Sequence, residues 1–564
     1  MRDPNSKEYL DKQFVALKQE RETFDSHYKE LARYINPRRG RFLTTDRNKG
    51  EPRHQEIINS HASQAHKVCT NGLLSGIMSP ARPWFDLVVD DPELMEFQPV
   101  KVYLEEVSKQ INRVFNSSNL YNMAPTMLAE MVLFGTGAMS HEDDFENVAR
   151  FYAHTVGSYV IAQDEDYRVN SFGREFEMTV MQMVKKFGLD NVSVNVRRAY
   201  DQGDYHMWYP VRHLIEPNPE ADARKKLAVN KPFRSCYFEP DRVYGTDKNK
   251  FLRKSGYDEF PVYVPRWAVT AEDIYGTDCP GMTSLGDVKM LQIQEREMAK
   301  AIARQNTPPM HGPASLASKE VDLLPGGGTF YDAEGSSRLM PVYQPNADLN
   351  SMMADLQRTQ GRIDRAMFVD LFLAITSMEG IQPRNQLELT QRNQERLLQL
   401  GPVLERTHNE FLTPLVNRTF NQLVRASTDV NGNWLETAAL PPPPQELQGR
   451  EIQPRYISSI AIAQRAAGVG PIEQMVAMAG GLLQAGIIRD TLKIDGDQVI
   501  DEYAMRVGAP PKIIVPDDQV GQQRQAAQQQ QQVAQMAEVA ATGAKAGKDL
   551  MQAQALSQGQ GGRR

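Results

Sequence analysis

Cysteine is nearly absent from this chain. Its three copies, Cys69, Cys236 and Cys279, stand far apart and form no C-x-x-C pair, so a disulfide framework and a thiolate zinc site are both excluded. Long apolar runs are missing too. The longest, Ala366 to Ile375, contains Asp370 and is far shorter than the roughly 20 residues a helix needs to cross a bilayer. The N-terminus, MRDPNSKEYLDKQF, alternates charged and apolar residues without the apolar centre of a signal peptide. Export by that route is not expected, and a cytoplasmic origin fits. A surplus of positive charge is also lacking. With 64 basic against 71 acidic residues the formal charge is -7, whereas a protein that grips nucleic acid tightly carries a basic excess to neutralise phosphates. Any contact with DNA should therefore be loose.

The signatures of several chemistries are absent as well. No G-x-x-x-x-G-K-[ST] occurs; GAKAGKD (Gly543 to Asp549) has the wrong spacing and an Asp where the hydroxyl belongs, so an ATPase of the P-loop type is not expected. GTG (Gly135 to Gly137) lacks the third glycine of a dinucleotide fingerprint, and GGG (Gly326 to Gly328) follows a proline and opens no helix. Both read as turns. The cluster His141, Glu142, Asp143, Asp144 has the ligand types for a divalent metal, but four adjacent residues cannot all face one ion, and a solvated turn is the simpler reading. KIDGDQVIDE lacks the ligand spacing of a calcium loop, and Asp495 reads as a helix cap. No catalytic residue, metal or cofactor is expected.

What the 564 residues do contain, at 41% hydrophobic, is enough apolar material for several modules. Leu10, Phe14, Leu17, Phe24, Leu31 and Ile35 recur at helical spacing and predict an amphipathic helix over 6–35, ended by Pro37. The basic stretch RRGRFLTTDRNKGEPRH after it reads as an exposed loop making ion pairs between subunits rather than as a phosphate contact. A second helix spans roughly His61 to Ile77 and stops at SPARPWF. From about Ala149 to Ala271, runs such as RFYAHT, SYVIAQ, VSVNVRRAY, CYFEP and PVYVPRW predict a mixed α+β region. The remainder is helical, divided by breaks near 307–345 and at Pro441 to Pro444. Beyond Pro516 the composition turns to Gln, Ala and Gly, consistent with disorder or with a helix stabilised by copies of itself.

Two matched helices dominate the second half. In the first, Ser284 and Asp287 form a plausible cap, Leu285, Val288, Leu291, Met298 and Ile302 share one side, and Pro308 and Pro309 end a run on the order of 33 Å long. The second is opened by Asn346 or Asp348, carries Leu349, Met352, Met353, Leu356, Ile363, Met367 and Leu371, and runs toward Gly380. A compact insertion holding PPMHGP and LLPGGGTFYD separates them. A third helical pattern, Leu387 to Arg425, should bend at Gly401-Pro402 and at Pro414.

Four segments in this order, GLLSGIMSPARPWFDL, YGTDCPGM, the stretch from Ile363 to Phe420, and KIDGDQVIDEYAMRVGAPPKII, resemble the head-to-tail connectors of podoviruses, a branch of the phage portal family. The resemblance spans roughly Tyr9 to Val515. It implies a predominantly helical α+β portal fold assembling into a ring, typically a dodecamer. By that likeness 1–275 is the wing, 276–306 and 346–375 are stem helices, 307–345 is the clip and 376–386 the tunnel loop. The stretch 387–440 is then a kinked wing-crown helix and 441–515 the crown, while 516–564 is a barrel-like or disordered tail. Met378, Glu379, Gln382, Arg384 and Asn385 would approach DNA, Lys289, Lys300 and Arg304 would line the channel, and Glu320, Asp322, Asp332 and Glu334 would form the clip's docking surface. The implied partners are further copies of the chain, double-stranded DNA passing non-specifically, the large terminase, a tail adaptor, and the major capsid and scaffolding proteins, with no membrane. The implied location is the portal vertex of the virion, after assembly in the host cytoplasm. Two rival readings are an internal scaffold or core protein, which would form shells or filaments, and a metal-dependent DNA-processing enzyme using the cluster at His141 to Asp144.

Overall fold

The computed structural model of the chain describes residues 6–42, 55–91, 94–95, 97–222, 224–225, 227–240, 250–270, 272–312, 321–322, 339–342, 348–377, 400–428, 440–447, 449–450, 452–457 and 469–484, with isolated positions between 496 and 525. The chain divides into two units, Met1–Gln464 and Arg465–Arg564. Described residues of the second unit include one helix, Val469–Gln484.

The N-terminal apolar stripe is split between α1 (Lys7–Glu22) and α2 (Asp25–Tyr34), where the spacing predicted one helix. The break is made at Thr23, whose hydroxyl donates to the Glu20 carbonyl at 2.7 Å, and Phe24 then stacks on Tyr28 at 5.7 Å. Next come α3 (His61–Ile77), on the predicted bounds, β1 (Phe85–Val89), α4 (Gln98–Ser117) and α5 (Leu120–Phe134). Gly135 closes α5 at φ +80°, and a Cβ there would sit 2.9 Å from the Gly276 carbonyl. The Gly276 N–H in turn reaches the Thr136 hydroxyl at 2.8 Å. The GTG and YGTD sequences are therefore two bends whose backbones touch, which only glycine permits at this distance.

Two sheets follow. The smaller has strand order β3-β2-β9, from β2 (Ala138–Asp144), β3 (Val148–His154) and β9 (Val262–Tyr263). The larger is antiparallel in the order β4-β5-β6-β7-β8, from β4 (Tyr159–Gln163), β5 (Val169–Thr179), β6 (Trp208–Pro217), β7 (Phe233–Phe238) and β8 (Arg253–Tyr257). Both faces of the larger sheet are covered. On one, Leu10 of α1 packs on Leu214, Cys236 and Phe238. On the other, Met178, Val211 and Tyr237 pack with Met183 and Phe187 of α6 (Val180–Phe187) and Val196 and Ala199 of α7 (Val194–Asp201). α7 lies in VSVNVRRAY, whose alternating valines predicted a strand. Ser193 caps it by accepting from the Val196 N–H, and Val192, Val196 and Ala199 share one buried side at helical spacing.

A single apolar core joins α2 to α5, the small sheet and the start of the helical half. Its far end is pinned by a strand that sequence spacing did not reveal. β12 (Ile452–Tyr456) returns to pair antiparallel with β1, Phe85 opposite Tyr456 and Val89 opposite Ile452.

Candidate channel stem and docking surfaces

The paired rods are α8 (Pro280–Asn306) and α9 (Leu349–Ala366), antiparallel and tied at their outer ends by β10 (Met310–His311) against β11 (Met340–Pro341). α8 is longer than its sequence pattern predicted, about 40 Å at 1.5 Å per residue. It also starts earlier. Pro280 occupies the first turn, and Ser284, expected as the cap, lies inside the helix and donates to the Gly281 carbonyl at 3.3 Å. α9 is capped by Asp348, whose carboxylate accepts from the Asn350 and Ser351 N–H groups at 3.1 and 3.2 Å.

The two halves of α8 differ. The first half is embedded: Leu285, Val288 and Leu291 are buried, and Arg362 of α9 meets Asp287 at 3.2 Å. Gln292 anchors it further. Only 2% exposed, its Oε1 accepts from the Ile58 and Asn59 N–H groups at 2.7 and 2.8 Å, and its Nε2 donates to the Asn59 carbonyl at 3.0 Å. His61, at the start of α3, reaches Asp364 of α9 at 2.8 Å. The second half stands clear: Arg296, Glu297, Lys300, Ile302 and Arg304 are all exposed. Ile302 therefore does not continue the buried stripe, whereas Ile293 and Met353 leave apolar surface exposed on both rods.

The proposed channel cations occupy unlike settings. Lys289 is engaged within its own chain, donating to Glu30 of α2 at 2.8 Å and lying 5.6 Å from the Tyr34 ring centre. Its partnership holds Glu30 below the usual carboxylate range. Lys300 pairs with Glu297 one turn away at 2.7 Å, and Arg304 is exposed in the last turn. Among the clip residues Asp322 is exposed, while Glu320, Asp332 and Glu334 lie outside the described residues. So do Met378, Glu379, Gln382, Arg384 and Asn385, together with Asp495 and the run Gln528 to Gln532.

The helix that leads to residue 378 is not a continuation of α9. The chain turns at Met367 and Phe368, with Phe368 at φ +54°, and restarts as α10 (Val369–Ser377). The turn is held because Met367 is fully buried and the Phe368 ring lies 6.2 Å from Trp267. α10 then presses Phe372 against Gly72 of α3, where a Cβ would lie 2.3 Å from the ring.

Residues 400–407, including Gly401 and Pro402, are helical, and the stretch ahead of 400 lies outside the described residues. The bend falls just ahead of Pro414, as a π-turn over His408–Leu412 that leads into α11 (Thr413–Thr428). Inside this turn Glu410 receives Arg266, a guanidinium only 2% exposed that also donates to Gln163 Oε1 and to the Tyr167 and Ile274 carbonyls.

The cluster at His141 to Asp144 lies on β2, so alternate side chains leave opposite faces. His141 is bonded to the Tyr263 hydroxyl at 2.6 Å, and burial drives its pKa well below the ordinary imidazole value. Asp143 faces Arg418 and Gln422, and Asp144 pairs with Arg150 at 3.1 Å. These partners occupy His141 Nδ1, Asp143 Oδ1 and Asp144 Oδ2. Among the described residues no group of His, Cys, Asp and Glu is placed to hold an ion.

Sequence reasoning missed Gln292 and the Arg266–Glu410 pair. Gln292 had a signal, a polar residue beside the apolar stripe of α8; Arg266 had none, since its partners are scattered over more than two hundred residues.

Comparison with known proteins bears on the whole length. The family described as bacteriophage head to tail connecting protein matches residues 7–515. A portal protein of Salmonella phage epsilon15 is 41% identical over 546 residues, covering 96% of this chain and 95% of that protein. A probable portal protein of Bordetella phage BPP-1 is 38% identical over 547 residues, with 96% and 95% covered. A chain from the virion of a native gene transfer agent particle covers 80% of this chain and 91% of its own at 10% identity and a TM-score of 0.31, too loose a superposition to carry an argument. Matched from its first helix to beyond Asp495, this chain belongs to the bacteriophage head-to-tail connecting protein family.

Proposed function

We propose that the chain is the portal protein of a short-tailed phage. Copies of it form a ring at one capsid vertex, the passive channel through which DNA is packaged and ejected. The observation that carries this reading is the near full-length identity to two phage portal proteins. The half-exposed rod pair supports it: Ile293, Ile302 and Met353 are apolar and uncovered in the single chain. Such a surface on a stem is suited to a neighbouring copy, and a head-to-tail contact repeated by a fixed rotation closes into a ring. A dodecamer is the expected number. The formal charge of -7 per chain suits a conduit in which DNA slides instead of adhering.

In this reading 282–306 and 346–374 line or brace the channel, and 376–386 projects toward the DNA. The clip, 307–345, docks the large terminase during packaging and a tail adaptor afterwards. The wing meets the major capsid and scaffolding proteins. The protein works in the virion, assembles in the host cytoplasm, and catalyses nothing. Among the described residues no helix is long and apolar enough to cross a membrane.

End-on electron microscopy of the purified protein tests this. Closed rings of one rotational order with a central hole support it. Shells or filaments would favour the scaffold reading, and a chain that stays monomeric at high concentration and is missing from the particle vertex would end it.

A further inference from the structure

The five-stranded sheet carries opposite charges at diagonally opposite corners. At the start of β8, the last strand in the order, an open cleft of about 670 Å³ is lined by Lys186, Asn191, Lys250, Phe251, Arg253 and Lys254. Among the described residues no carboxylate forms an ion pair with Lys186, Arg253 or Lys254. Lys186 instead lies 4.7 Å from the Tyr237 ring centre, and Lys254 lies 4.0 Å from that of Phe251. Lys250 is spent on a backbone carbonyl, that of Asp190. Glu142 acts on Lys186 and Glu239 on Lys250 without an ion pair to Lys186, Arg253 or Lys254, and Asp190 already faces Arg197 at 3.7 Å.

Beneath the cleft the strand register places Arg174, His213, Tyr237 and Arg253 in one row across β5 to β8. Burial, and then the positive charge of Arg174 and Arg253, hold the Lys186 ammonium below its ordinary range. A local excess of positive charge in a chain of net charge -7 favours an anionic partner.

The other corner supplies the opposite charge. The turn joining β4, the first strand, to β5 exposes Glu165 and Asp166, and the bend beside it exposes Glu272 and Asp273. Gln163 ties the two segments by donating to the Glu272 carbonyl at 2.9 Å. Arg266 holds both from below through the Tyr167 and Ile274 carbonyls, at 2.9 and 3.2 Å. Arg168 is the exposed cation nearby. The acidic patch is thus a fixed shape and not a floppy loop.

We propose that the basic cleft at Lys186, Arg253 and Lys254 of one copy receives the acidic corner, Glu165, Asp166, Glu272 and Asp273, of the next copy in the ring. The inference rests on the ring reading above and adds to it a specific contact in the wing. Opposite patches on opposite edges of one sheet are what a heterologous, head-to-tail interface requires, since each copy then offers one and accepts the other. Nucleic acid is the weaker candidate. Phe187 and Tyr237 are almost fully buried beneath the cations and Phe251 is covered by Lys254, which leaves little open ring face for bases.

The test is charge reversal with rescue on the full chain. Arg253→Glu/Lys254→Glu alone, and Glu165→Lys/Asp166→Lys alone, are expected to raise the protein concentration at half-assembly, read by analytical ultracentrifugation, roughly tenfold or more. All four substitutions together restore complementary signs and should return it to near the wild-type value. Unchanged thermal midpoints verify that each variant is folded. Zero-length carbodiimide cross-linking of wild-type rings should join Lys250 or Lys254 of one chain to Glu165, Asp166 or Glu272 of another. Single-side variants that assemble normally, a combined variant that is not rescued, or rings lacking those cross-links would each overturn the contact while leaving the ring intact. Normal assembly of Arg253→Glu/Lys254→Glu with weakened binding of a DNA oligonucleotide would assign the cleft to nucleic acid instead. Wild-type protein that forms no ring removes both readings together.

Discussion

Arg266 and Glu410, 144 residues apart, meet three times: the guanidinium Nη2 and Nε reach Oε1 at 2.6 and 3.1 Å, and the Arg266 N–H reaches Oε2 at 2.8 Å. This bond fastens the helix carrying the π-turn to the segment between β9 and α8. A buried charge that loses its partner costs far more than the pair contributes.

Glu410→Ala should therefore lower unfolding stability by about 3–5 kcal/mol. Arg266→Met/Glu410→Gln, which removes both charges of the buried pair and leaves only the more exposed Arg406 without Glu410, should cost less than Glu410→Ala alone. Urea denaturation of both variants checks the order; equal losses would contradict the assignment.

Glu130 is fully buried, with Arg39 at 3.8 Å and the Val156 N–H at 3.1 Å, and burial raises its pKa to about 7. The folded state therefore binds this proton more tightly than the unfolded chain does. Its contribution is fully present below about pH 4.5 and is lost as pH rises through 7, a change on the order of 3 kcal/mol. Buried histidines slope the other way: His66, lowered to about 4, favours the folded state as pH rises toward 6.5. Comparing wild type with Glu130→Gln isolates the carboxyl. The stability difference between the two should shift in favour of Glu130→Gln between pH 5 and pH 8, and parallel thermal-midpoint curves would refute it.

Gly72→Ala forces a methyl group to within 2.3 Å of the Phe372 ring, so α10 must leave α3 or the variant must strain, at about 1–3 kcal/mol. Trimming the ring in Gly72→Ala/Phe372→Leu should recover part of the loss. Additive losses in a double-mutant cycle would show that the two residues do not meet.

Deleting 379–384 from the loop that follows α10 should leave ring formation intact but reduce packaging or cause genome loss. The yield of DNA-filled heads against total heads measures this, and an unchanged yield would count against a role for the loop.

How far the sequence disclosed these features depended on the range of the forces involved. Helices set by local periodicity and caps, such as α3 and the Asp348 start of α9, were legible from residue order. The split at Thr23 and the turn at Phe368 were not, because Phe24 and Phe368 are held by distant aromatics, Tyr275 and Trp267. The β1–β12 pairing joins residues far apart and leaves no spacing to read. Family likeness pointed to two paired helices where α8 and α9 lie, but the cleft at the edge of the five-stranded sheet emerges only when Lys186 and residues 250–254 are brought together by folding.

The π-turn at His408–Leu412 sets the angular phase between two halves of one rod. Ahead of its end, Glu410 must point at Arg266; beyond it, Arg418, Gln422 and Arg425 must point at Asp143 and Glu259. An ordinary helix advances about 100° per residue, so removing a single residue from the wide turn would swing the second set away by that angle. The extra residue lets one rigid bar satisfy two misaligned clamps, so its length, more than its composition, is what the surrounding contacts hold fixed.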